Sequence, residues 1–452
     1  MVSVAEGRRG RPRHGRPTNA GLGMTGLTGE RRHDTRRRVR ATAGAAALGV
    51  LLPLGLAACA GGEPPPSRFV AAPTPATPSP DPPAAPLNLA VTPDDGADGL
   101  PISTEIGTEV TGGEITEVTL RAAGGGRVEG DLRADATSWV PARPLAPSTS
   151  YTAEVTAAGA GGTTATERIA FTTMAAPARR TGTGLYMFDG GEYGVAMPVV
   201  VEFVEPVPEE ARAGVQRRLF VTTDPPQPGV WHWVPSGSQV FYRAREYWRP
   251  GTEISVRVAL DGHPTGDGRY GDTDRTATAT IGDELIMEVD NETKHMYVYS
   301  GGELLREMPV SLGKPSTPSS YGTMVVMSKE TETVFDTFAE LGPDEGYRID
   351  ISYALRLTWQ GEFIHAAPWS VADQGVRNVS HGCVNLSWDN AEWLFGRTKV
   401  GDPVTVRDTE RGLDDGNGWT AWDMTWEEYV EGSALPVPEE LLAPPVTGAV
   451  AS

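Results

Sequence analysis

The chain has 452 residues, 39% of them apolar, with 54 glycines, 38 prolines and a formal net charge of −20. That length exceeds what one hydrophobic core organises, so several domains are expected. The acidic residues lie almost wholly after Cys59, where no Lys/Arg cluster interleaved with aromatics occurs, which excludes nucleic acid as a partner.

Residues 1–58 read as an export signal. Arg31 to Arg40 are strongly basic, and Ala41 to Ala58 carry no charge and are rich in Ala, Leu and Gly. A membrane-spanning helix competes with this reading, but the run is marginal in length and contains Pro53. It ends in Leu56-Ala57-Ala58-Cys59, which resembles the lipobox of bacterial lipoproteins. The resemblance implies a diacylglyceryl and palmitate anchor on Cys59, with the membrane as partner through lipid and the protein exported to the outer face of the cytoplasmic membrane. Met24 offers a shorter start. Residues 59–86, dense in Pro, Ala and Ser, cannot bury a core and form a linker.

From 87 the pattern turns to short alternating runs parted by Gly and Pro, such as Tyr151 to Ala157 and Arg168 to Thr173. A second set follows at Met197 to Phe203, Glu253 to Leu260 and Thr276 to Ile281. The spacing predicts a mainly β chain with two immunoglobulin-like β-sandwich domains, 87–176 and 177–282. A third, β-rich region covers 283–407, with a hairpin turn at Gly301-Gly302. Between Ser328 and Gly346 an acidic, irregular stretch contains Phe335, Asp336 and Phe338. In 408–435, Trp419, Trp422, Trp426 and Tyr429 recur at helical intervals, predicting a short amphipathic segment packed back on the third region. Residues 436–452 are expected to form a flexible tail.

The only cysteines are Cys59 and Cys383, in surroundings too different to be read as a disulfide. Cys383 lies in Ser380-His381-Gly382-Cys383-Val384-Asn385, fourteen residues beyond Phe363-Ile364-His365-Ala366. An imidazole beside a thiol activates it by accepting its proton, and a Gly before the cysteine lets backbone N–H groups face a developing oxyanion. Three readings stay open on these residues alone: a Cys–His nucleophile, a zinc site of His365, His381 and Cys383, and a buried inert thiol. Structural zinc wants four ligands, and His295 is the only other histidine nearby.

His365, the fourteen-residue gap and Ser380 to Asn385 together resemble the signature of YkuD-type L,D-transpeptidases. The resemblance extends through Pro368-Trp369-Ser370, Gln374-Gly375 and Trp393, and back to Gly346-Tyr347-Arg348. It implies a lipoprotein cysteine acyltransferase of the actinobacterial type with preceding immunoglobulin-like domains. Cys383 would then be the nucleophile and His365 its base, the ring held by the main-chain carbonyl of Ala366. Ser380, His381 and Gly382 would support the oxyanion site; Tyr347, Arg348, Asn385, Trp369 and Phe335 would line the substrate pocket, with a lid that departs from the usual pattern at Phe335-Asp336-Thr337-Phe338. For Trp369 and Trp393, core packing is the competing role.

The family reaction implies peptidoglycan stem peptides as partners, a tetrapeptide donor and a diaminopimelate amine acceptor, with D-alanine released and a 3→3 crosslink formed. It implies no metal or organic cofactor, a monomer, and acylation of Cys383 by carbapenems. Water in place of the amine gives an L,D-carboxypeptidase, and a non-catalytic wall-binding lipoprotein is the reading from another class.

Overall fold

The alternating runs become strands because every second side chain enters a core while its neighbours face water. In the computed structural model, residues 85–336 and 348–443 are described, together with Phe338, Gly342, Pro343 and Gly346. Cys59, Met24, the signal run, the linker to residue 84, Tyr347 and the tail from 444 lie outside the described residues. No helix among the described residues is long and apolar enough to cross a membrane.

The chain is mainly β, as expected. The first sandwich faces a four-stranded sheet built on Ile106–Thr111 against a five-stranded sheet built on Ser150–Gly159 and Thr164–Thr173. Ile106, Leu120, Trp139, Tyr151 and Phe171 fill the space between them. The second faces Val199–Phe203, Gln239–Ala244 and Gly229–Trp233 against Glu253–Val258 and Arg275–Ile281. At the junction of the two sandwiches, Glu105 takes ion pairs from Arg133 at 2.7 Å and Arg218 at 2.6 Å.

The third region has two sheets. One runs Glu303–Pro309, His295–Ser300, Ile286–Asp290, Pro403–Arg407, Ser320–Val325 and Arg411–Gly412. The other runs Ser328–Asp336, Arg348–Arg356, Phe363–Ala366 and Val384–Leu386. Met287, Val298, Leu312, Ile364, Val384 and Leu386 lie in the core between them.

Two expectations need correction. The acidic stretch from Ser328 is regular as far as Asp336, paired antiparallel with Arg348–Arg356. Its many charges hide a period of two, because this hairpin is solvated on one face. The Trp-rich C-terminal segment packs chiefly on the second sandwich. Trp419, Trp426 and Tyr429 join that sandwich's core, and the Trp422 indole donates to Ala196 O at 2.7 Å. The buried Arg243 guanidinium lies 4.3 Å from the Trp422 ring and 4.1 Å from that of Tyr429, and donates to Ala421 O at 2.7 Å. Only Trp426–Glu431 of this segment is helical, with Trp419 and Trp422 in the turns before it, so the aromatic spacing announces burial without fixing the helix or saying which neighbour buries it.

Candidate active site

Strand alternation builds the site. Phe363–Ala366 lies parallel to Val384–Leu386, with His365 opposite Asn385. Ile364, Ala366, Val384 and Leu386 point into the intersheet core, so Phe363, His365, Cys383 and Asn385 emerge on the other face. There His365, Trp369, Ser380, His381, Cys383 and Asn385 line a cavity of about 370 Å³.

The His365 Nδ1–H donates to Ala366 O at 2.9 Å, the contact expected from the sequence. That tautomer leaves Nε2 as the proton acceptor. Burial holds the imidazole below its ordinary pKa, against the opposing pull of the Ala366 carbonyl, so the ring is a neutral base at pH 7. Cys383 is 4% exposed, and its thiol points to Gly361 O at 3.7 Å. Burial pushes the thiol up to about 12, with the Glu362 charge adding and the Phe363 amide and Arg356 opposing. The resting pair is therefore a thiol and an imidazole, not an ion pair.

The turn before Cys383 is knotted by Ser380, whose Oγ donates to Cys383 O at 2.6 Å and accepts the Gly382 N–H at 3.2 Å. In this conformation the Gly382 amide is occupied, which leaves the Cys383 amide as the donor for an oxyanion. Gly382 has φ +128°, where a side chain would be strained and would lie 3.5 Å from Glu362 Cγ.

His381 accepts the Lys314 ammonium on Nε2 at 2.9 Å. That nitrogen is thereby engaged, which disfavours both a base role and a zinc-ligand role for it. Asn385 lines the cavity and donates to Ser370 Oγ at 3.2 Å, while its buried Oδ1 has no hydrogen-bond partner among the described residues. The Trp369 ring lies 6.0 Å from that of His365 and is 56% exposed, a wall at the mouth of the cavity more than a core side chain. Trp393 is half-buried and holds Arg306 at 4.8 Å and Arg397 at 4.2 Å from its ring, away from the site. Phe335 reaches the cavity and packs edge-on against Phe363. Arg348 does not line it; its side chain is exposed and lies 3.9 Å from Asp336.

Sequence reasoning missed the segment that clamps this turn. Ser311 exchanges backbone hydrogen bonds with Asn385, Lys314 N–H donates to Ser380 O, and Ser319 Oγ donates to Gly382 O at 2.6 Å. Its signal was present: one of very few lysines in the chain, set among Gly313, Pro315 and Pro318. Also missed was Glu362, buried beside the turn and accepting from Ser320 Oγ at 2.8 Å and Ser320 N at 3.1 Å.

Two stretches of the chain match known families. Residues 97–264 match the bacterial Ig domain family and 284–406 the L,D-transpeptidase catalytic domain. The chain is 33% identical to L,D-transpeptidase 2 of Mycobacterium tuberculosis (strain CDC 1551 / Oshkosh) over 404 residues, 88% of this chain and 97% of that protein. It is 35% identical to L,D-transpeptidase 5 of strain ATCC 25618 / H37Rv over 366 residues, 79% of each. A solved structure of LD transpeptidase LdtMt1 in complex with imipenem aligns at 38% identity and a TM-score of 0.43, covering 51% of this chain and all of that one.

Proposed function

The chain belongs to the L,D-transpeptidase family, with a YkuD-type catalytic domain after immunoglobulin-like modules, and from that premise we propose that it forms 3→3 crosslinks through a Cys383 thioester. The observation that carries this reading is His365, held by Ala366 O so that an unprotonated Nε2 serves the cavity containing the thiol.

In the first half-reaction the thiol leaves Gly361 O, His365 Nε2 takes its proton, and Sγ attacks the carbonyl of the donor's third residue. The oxyanion collects on the Cys383 amide, and the His365 imidazolium protonates the amine of the departing D-alanine. In the second, an acceptor amine attacks the thioester, a proton returns through His365, and the thiol is regenerated. Burial of the neutral pair supports this order: charge develops only once donor has displaced water. Asn385 lines the same cavity as the thiol and is the proposed contact for the donor's peptide backbone.

Incubation of the purified protein with disaccharide-tetrapeptide, read by mass, tests the proposal. A dimer with loss of D-alanine is expected, and Cys383→Ala abolishes both that product and the carbapenem adduct. Tripeptide alone assigns an L,D-carboxypeptidase; a folded wild-type protein giving neither product returns the non-catalytic wall-binding reading. The export signal and Cys59 lipid belong to the same proposal, and a diacylglyceryl mass shift on Cys59 is the expected finding.

A further inference from the structure

A second cavity, of about 640 Å³, adjoins the first and is lined in part by Thr317, Trp359, Gly361, Glu362 and Arg411. Phe335 and His381 contribute to both cavities. Gly361, whose carbonyl the thiol faces at 3.7 Å, lines the second cavity, which brings that cavity close to the sulfur. A two-substrate acyl transfer needs this arrangement: the donor occupies the cavity holding the thiol, and the incoming nucleophile must reach the same carbonyl from another side.

The charges of the second cavity are unequally satisfied. The Arg356 guanidinium lies 4.7 Å from the Phe363 ring and donates to Thr358 O at 3.1 Å and Trp359 O at 3.2 Å. Arg411 donates to Asp414 at 3.1 Å and to Gln360 Oε1 at 2.9 Å. Asp336 lies 3.9 Å from Arg348. Glu362, 8% exposed, accepts only from the neutral Ser320 and has no ion pair among the described residues. Burial raises its pKa above the usual carboxylate range, Ser320 and Arg411 opposing and Asp414 adding. A buried carboxylate without a cation is costly, and its natural complement is an ammonium group.

We infer that Glu362 selects a cationic amine as the acyl acceptor, binding it in the second cavity beside the thioester; the inference rests on the acyl transfer proposed above. The acceptor arrives as an ammonium and passes one proton to the Glu362 carboxylate. Its nitrogen then bonds to the thioester carbon, the C–S bond breaks, and the second N–H proton travels through His365 to Sγ. Glu362 returns its proton to solvent. Water lacks the positive charge that holds the ammonium at the carboxylate, so Glu362 biases the acyl-enzyme toward aminolysis by binding the amine more tightly than water.

The test compares whole wild-type protein with Glu362→Gln and Ser320→Ala. Acyl-enzyme formation is followed as the mass of a carbapenem adduct, and aminolysis as dimer formed from tetrapeptide donor against increasing diaminopimelate-containing tripeptide acceptor. Glu362→Gln is expected to raise the acceptor KM by about tenfold or more, the worth of one charge-assisted hydrogen bond, and to shift product from dimer to tripeptide. Carbapenem acylation falls by less than about threefold, and Ser320→Ala changes the acceptor KM by less than about threefold, since a neutral partner contributes less. An unchanged acceptor KM in Glu362→Gln, a parallel fall in acylation and aminolysis, or the same KM rise in Ser320→Ala overturns the inference. A wild-type protein that forms no acyl-enzyme removes the underlying reaction as well.

Discussion

The protonation state of Cys383 at rest yields a sharp kinetic expectation. Burial carries the thiol from 9.0 to about 12. Three pH units correspond to about 4 kcal/mol against the thiolate, and to a thiolate population at pH 7 roughly a thousandfold below that of an ordinary cysteine. Alkylation by iodoacetamide should therefore rise tenfold per pH unit from pH 7 to about 10 without a plateau, and Cys383→Ala should remove it. The slope is the decisive quantity, because burial also slows the reagent's access at every pH. A thiolate–imidazolium pair behaves differently: its alkylation rate is flat across neutral pH, and thiolate absorbance is already present there. Such a plateau would refute the general-base account. The same shift sets a stability limit. The thiol's pKa is raised on folding, so its contribution is complete below about pH 9 and is lost as pH rises toward 12.

His365→Ala should reduce carbapenem acylation by about 10²–10⁴-fold, the usual share of general-base catalysis, whereas His381→Ala should cost less because its Nε2 is engaged by Lys314; equal losses measured by adduct mass would contradict this division. Since burial lowers the His365 pKa, the acid limb of acylation should fall below 6.5 in a pH–rate profile. Asp402 is wholly buried, has one unpartnered oxygen, and is pushed up to about 7 by burial. The folded state then keeps a proton that the unfolded chain loses above pH 3.8, so this group's stabilisation is complete below 3.8 and disappears as pH rises through 7. Asp402→Asn should consequently raise the melting temperature relative to wild type more at pH 8 than at pH 4. Arg243→Met removes hydrogen bonds to Ala421 O and Met424 O and three cation–π contacts, an expected loss of about 3 kcal/mol, seen as faster proteolytic release of residues after 408.

The contact between Ala366 and His365 was implied by the family resemblance, and it survives the alanine because a main-chain carbonyl does not depend on the side chain that carries it. The emergence of His365 and Cys383 on one face came only from the structure, in which Phe363–Ala366 and Val384–Leu386 pair as parallel strands. The resemblance implied a pocket role for Arg348; the hairpin register sets it opposite Asp336 with its side chain exposed, a placement that depends on the pairing of two strands and has no local signal. The partner of the aromatic C-terminal segment was unreadable for a related reason. Its period revealed a buried face, but Arg243, which receives that face, lies in a distant strand with nothing in its local sequence to mark the pairing.

By itself the sequence determined the β architecture, because strand period is a property of neighbouring residues, and its dense local motif carried the resemblance that proposes Cys383 as nucleophile and His365 as base. Only the tertiary structure shows that the thiol is buried, that Lys314 engages His381, and that Glu362 stands beside a second cavity without a cation among the described residues. Burial, hydrogen-bond partners and charge balance are summed over segments far apart in the chain, and no local pattern records that sum.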